Sequence, residues 1–314
     1  MRNIAPTFAL ALALCCGAVA NAQDELQADL ADLEDSTQGD VIVVKGQKQN
    51  PMAIVREVRA ISASTDGQLA RFQQPICPLV HGLASSYSQQ IATRIRALAK
   101  VAGLRVAKDG CKANLTLIVT SSGQEFIETL RSDRPELLAA LGPAKYRALR
   151  DSAGPVWSWQ STEPKRADGG SVQYVSELEI GPGAPPLPLS KGAYQVPGAR
   201  LSRLSEPTRQ DVNLSFVVID RDSLVGLTLQ QIGDFFGLVG LTGARFSQTD
   251  KLSTPSILKL FNDKADGLTP QDGATEFDIA YLKARYSGAP NKSSTQESKA
   301  IAISILQDVG RRND

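Results

Sequence analysis

Leu227-Thr228-Leu229-Gln230-Gln231-Ile232-Gly233-Asp234-Phe235-Phe236-Gly237-Leu238 is the stretch on which the reading of this chain turns. Its spacing predicts an amphipathic helix from about Leu229 to Leu238, with Leu229, Ile232, Phe236 and Leu238 inward and the polar residues at the surface. Just upstream, Val212, Leu214, Phe216 and Val218 alternate with Asn213, Ser215 and Val217, the period of a strand from Val212 to Ile219. Downstream, short helices are expected at Ser256–Phe261, after Thr254-Pro255, and at Thr275–Tyr286. A last helix is expected at Ala300–Val309, beyond a Gly/Pro/Ser-rich break.

Working back toward the N-terminus, Ile91, Ile95, Leu98 and Ala102 share one face of a helix that stops at Gly103. Leu104–Val106 reads as a short strand, and Leu115-Thr116-Leu117-Ile118-Val119 as a strand buried on both faces. Gln124–Leu130 and Glu136–Leu141 read as helices, the second started by Pro135. Trp157 and Trp159 fall on one face of a strand, as a core ladder or as a sugar-binding pair. Tyr174–Ile180 alternates like a strand before the turn-rich Gly181–Pro188. These elements define an α+β chain. It has a helix/strand block at 56–160, a Pro/Gly-rich loop region at 161–210, a second block at 211–287, and a linker with a C-terminal helix at 288–314.

The first 22 residues carry Arg2, an apolar run from Phe8 to Ala20 and a small-x-small site at Ala20-Asn21-Ala22, which together predict a secretory signal cleaved after Ala22. Cys15 and Cys16 raise the rival of a lipoprotein signal, but Leu14 or Cys15 stands where a small residue is wanted. No later stretch reaches about 18 apolar residues, so no transmembrane segment is expected. The expected location is the periplasm or the exterior. Cys77 and Cys111 remain after cleavage, and an oxidising compartment predicts a disulfide between them.

Residues 23–55 form an acidic, disordered segment in this reading, with seven acids and no bases between 23 and 40. Within it Asp40-Val41-Ile42-Val43-Val44-Lys45-Gly46 is similar to the TonB box of outer-membrane receptors, which binds its partner as an added strand. An edge strand of the protein's own sheet is the competing reading of Val41–Val44. Without Arg2 the chain has 33 basic and 33 acidic residues, a balance that provides no broad attraction for nucleic acid.

Catalytic signals are sparse. His81 is the only histidine, so any Ser-His-Asp or Cys-His mechanism must pass through it, and its setting reads as a turn. No phosphate-binding or dinucleotide-binding glycine motif occurs. Asp220 and Asp222 flank Arg221 at a strand end, either as an acid–base pair or as a solvated turn.

The opening stretch resembles the active-site helix of zincin metallopeptidases, especially the metzincin branch with His-Glu-x-x-His-x-x-Gly-x-x-His. The resemblance puts Gln230 and Asp234 at the places of the helix histidines, Gln231 at that of the Glu and Gly240 at that of the third His; Gly237 alone matches. Thr254-Pro255-Ser256-Ile257-Leu258 is similar to the family's Ser-Ile-Met segment, and Phe277–Tyr286 to its closing helix, so the likeness spans roughly 210–287. It implies a zincin-like fold whose chemistry is lost. Zinc favours imidazole or thiolate, and a Gln takes no proton from water near neutral pH. The expectation is thus a relic cleft at Gln230, Gln231, Asp234, Gly237 and Gly240, with no catalytic residue, metal or cofactor. The expected role is binding an envelope protein or peptide. A hydrolase working with carboxylates or an atypical metal site, near Asp234 or Asp220, is the alternative.

Overall fold

In the computed structural model, residues 50–178, 185–198, 202 and 204–312 are described. The expected signal sequence, residues 23–49 of the acidic segment and, within them, Val41–Val44 lie outside this range. Chain order gives α1 (Pro51–Ile61), β1 (Pro78–His81), α2 (Ser85–Val101), β2 (Leu115–Thr120), α3 (Gly123–Asp133) and α4 (Gly142–Arg150). Then come β3 (Val156–Arg166), β4 (Gln173–Leu178), β5 (Leu187–Gln195), β6 (Thr208–Asp220), α5 (Leu229–Thr242), α6 (Leu260–Ala265), α7 (Glu276–Ser287) and α8 (Ser294–Arg312).

One four-stranded sheet runs in the order β1-β2-β6-β3, and β4 with β5 makes a separate hairpin. β1, β2 and β6 are parallel, while β3 lies antiparallel to β6. The fold is therefore α+β, with a mixed sheet. β6, from the second predicted block, sits between β2 and β3 of the first, so the blocks at 56–160 and 211–287 share one core. Strand pleating sends alternate side chains to opposite faces. Leu115, Leu117, Val119, Val217 and Ile219 enter a large cluster with α1, α2, α5, α7 and α8. Trp157, Trp159, Phe216 and Val218 form a smaller cluster under α3 and α4. Both Trp side chains are thus core, with Trp159 stacked 4.9 Å from Phe216.

Several expectations need correction. Residues 51–55 belong to α1, where Pro51 occupies the first helical turn and the Asn50 side chain accepts the Met52 N–H. Glu136–Leu141 forms two 3-10 turns, and the helix comes later, at Gly142–Arg150. Region 161–210 is not merely loop, since β3 continues to Arg166 and the β4–β5 hairpin follows. Leu104–Val106 contributes a single bridge, Ile76 to Val106. On β2, Thr116 and Ile118 are only half-buried.

The disulfide joins Cys77 to Cys111, 34 residues apart. It ties the entry of β1 to the entry of β2, where Asn114 Oδ1 also accepts the Cys77 N–H. Closing such a loop is worth roughly 3–4 kcal/mol in the chain-entropy account. The disulfide fits an extracytoplasmic protein. No helix among the described residues is long and apolar enough to cross a membrane.

Candidate functional site

The opening stretch does form a helix, but a longer and more deeply placed one than its pattern implies. α5 starts with a capping box, in which the Thr228 hydroxyl accepts the Gln231 N–H and the Gln231 side chain accepts the Thr228 N–H. It continues through Gly237 to Thr242 and ends on Gly243 in the left-handed conformation. Every residue from Gln231 to Thr242 is buried, leaving Gln230 exposed. The expected polar surface is therefore absent: α5 has α2 on one side, the sheet on another and the segment before α7 on a third.

Four of the five predicted site residues, all but the exposed Gln230, have a packing or capping task there. Gln231 also donates through Nε2 to the Gln271 carbonyl at 2.9 Å. Asp234 is fully buried and accepts from Arg94 Nε, from Arg94 Nη2 at 2.8 Å and from the Ala274 N–H at 2.8 Å. These bonds hold the Arg94 guanidinium above its usual pKa, the hydrogen bond to Asp234 being the main cause. Gly237 sits where a Cβ would lie 2.6 Å from Leu98 Cδ1, and Gly240 where one would lie 3.2 Å from Leu115. Both allow close helix–helix and helix–sheet approach. The Gly240 carbonyl accepts from Ser215 Oγ at 2.8 Å and Gln160 Nε2 at 3.1 Å.

Gln230 and Asp234 do lie side by side at i and i+4. The chain closes over them at Gly273, where a Cβ would fall 2.6 Å from Gln230 Nε2 and 2.7 Å from Asp234 Oδ2. A zinc ion does not fit this set. One ligand position is a neutral amide, the other carboxylate already neutralises a guanidinium, and backbone fills the space in front of them. Among the described residues no group of three His, Cys, Asp or Glu could hold a metal ion. Asp220 is likewise engaged, accepting the Gly123 N–H at 2.6 Å at the start of α3, while Asp222 is exposed. His81 is exposed at the end of β1. The sequence residues do not assemble into an open cleft.

A groove opens instead along the free edge of β3, with a cavity volume of about 370 Å³. Leu141, Lys145 and Leu149 from the α4 side form one wall, and Gly243–Ser247 with Ala63–Thr65 the other. The Asp220 N–H donates to the Pro155 carbonyl at 3.0 Å, which fixes the alternation of the ladder. With Val156 opposite Ile219, residues 157 and 159 bond to β6, and the N–H and C=O of Val156, Ser158 and Gln160 point away from it. Among the described residues these outward groups have no strand partner. Trp157, which also lines the groove, carries a buried indole N–H with no acceptor among those residues. The lining contains Lys145 and Arg245 and no carboxylate. The alternation of Val156–Trp159 reveals the strand; its edge position depends on β6, far along the chain, and had no signal in the local pattern.

Comparison with family models, curated proteins and solved structures finds no match in any of the three.

Proposed function

We propose that the chain is a non-catalytic exported protein of the cell envelope that binds an extended segment of a protein or peptide as a strand added to β3. The observation that carries this reading is the row of outward N–H and C=O groups at Val156, Ser158 and Gln160 inside a walled groove. Main-chain bonds to a sheet edge supply affinity, and side-chain pockets on either wall supply selection. Lys145 and Arg245, without an opposing carboxylate, favour a segment with acidic side chains. Descent from a zincin with its metal chemistry lost belongs to the same proposal. Its support is the residue pattern at 227–238 and the succession of strand β6, helix α5, the turn at Ile257 and helix α7 around one core.

The test is fluorescence anisotropy with labelled eight-residue alternating peptides, acidic and neutral, against wild type and Ser158→Pro. Proline removes an outward N–H while leaving the β6 ladder in place. Micromolar binding of an acidic peptide, lost in Ser158→Pro with the thermal midpoint little changed, is the expected result. Binding of no peptide, or equal binding by the variant, overturns the reading.

A further inference from the structure

A second cavity, away from the β3 groove, lies beside a cluster of three buried charges. Arg71, Arg285 and Glu297 are 3 %, 1 % and 2 % exposed. Glu297 Oε1 accepts from Arg71 Nε at 3.0 Å, Arg71 Nη2 at 2.5 Å and Arg285 Nη1 at 2.5 Å, while Oε2 has no partner among the described residues. Two guanidinium groups thus share one carboxylate, and the cluster retains one surplus positive charge. Burying an uncompensated charge is costly, and anions near it are favoured.

Arg71 has five N–H donors. One bonds to the Gly288 carbonyl at 2.6 Å and two to Glu297, leaving two without an acceptor among the described residues. Arg71 also lines a cavity of about 320 Å³, whose walls include Arg105, Gln73, Gln74, Tyr286 and Pro290 and no carboxylate. The last turn of α2 reaches this wall, and its Leu98, Ala99 and Lys100 carbonyls accept the N–H groups of Ala102, Leu104 and Gly103. Burial pushes the Arg71 guanidinium down from its usual pKa; Glu297 opposes this and Arg285 adds to it.

We propose that this cavity binds a small oxyanion, a carboxylate or phosphate group, between the spare donors of Arg71 and the guanidinium of Arg105. Arg105 is exposed and makes one hydrogen bond, to the Gln73 carbonyl at 3.1 Å, so it is free to turn toward a ligand without loss to the core. Charge-assisted bonds from two arginines match both oxyanion classes.

Titration calorimetry of the full-length chain at low chloride, with inorganic phosphate and separately with acetate, tests this. One saturable site is expected, weakened about tenfold in Arg105→Gln with the thermal midpoint unchanged. Gln74→Glu, which adds a carboxylate to the wall, is expected to abolish it. The ion that binds more tightly tells the phosphate source from the carboxylate source. No saturable heat with either ion, or the same affinity in Arg105→Gln and Gln74→Glu, overturns the proposal.

Discussion

Two arginine–carboxylate sites sit on the large face of the sheet, and they bury charge in different ways. At Arg94–Asp234 one guanidinium meets one carboxylate, and the Arg94 side chain remains 40 % exposed. Its charges cancel and water reaches one end. At Arg71–Glu297–Arg285 two guanidinium groups close on a single oxygen, with side chains 3 %, 3 % and 1 % exposed. A neutral pair with a wet end is a tie between helices, here α2 and α5. A dry cluster with surplus charge has chemistry left to satisfy. The carboxylate that the zincin likeness singles out therefore holds architecture together, and the unmet demand lies elsewhere.

The comparison breaks most readily at Glu297. Glu297→Ala strands two buried guanidinium groups and is expected to cost about 4 kcal/mol or more, read by urea unfolding. Glu297→Gln keeps the shape and is expected to cost less. Asp234→Ala is expected to cost only about 2 kcal/mol, because Arg94 turns into water and the Ala274 N–H is the main orphan. Equal losses at the two sites would show that net buried charge does not set the difference.

Alkaline pH sharpens the contrast with a smaller effect. Tyr286, next to Arg285, donates its hydroxyl to the Leu241 carbonyl, and burial pushes its pKa up to about 12. The folded value lies above that of an unfolded tyrosine, so this contribution is complete below pH 10 and is lost as pH rises through 12. The unfolding free energy should fall by on the order of 2 kcal/mol across that window. Tyr286→Phe should reduce the fall, leaving the part that Tyr281, also raised by burial, contributes, whereas Asp234→Ala should lower the whole curve without changing its alkaline slope. An unchanged slope in Tyr286→Phe would remove this residue from the account.

What was legible follows from how far each signal reaches. The helical face of Ile91, Ile95 and Leu98 and the alternation of Val212–Val218 are local periodicities, and α2 and β6 follow them. The Cys77–Cys111 pairing followed from cysteine number and the expected export alone. α1 is hidden by the acidic run before it, although Asn50-Pro51 is a start signal. The pairing of Asp234 with Arg94 had no local signature, because the two lie 140 residues apart, although the burial of α5 did leave a trace. Three glycines within α5 were the available hint: a surface helix has little use for them, and close packing does. The Arg71–Glu297 contact spans 226 residues and appears only in the folded chain.

The place of β6 in the sheet has a consequence for folding order. The strand between β2 and β3 is the last of the four to emerge, since it begins at Thr208, well after β3 ends at Arg166. Until it arrives, β2 and β3 have no common neighbour, and each presents an unpaired edge on which another copy can template. Long-range parallel pairing of this kind is slow to form. Residues 208–220 thus act as a keystone in time as well as in space. A chain halted before Thr208 would hold the paired β1 and β2 and a β3 with no strand to join it to them, and it is at that stage that misassembly is most open to it.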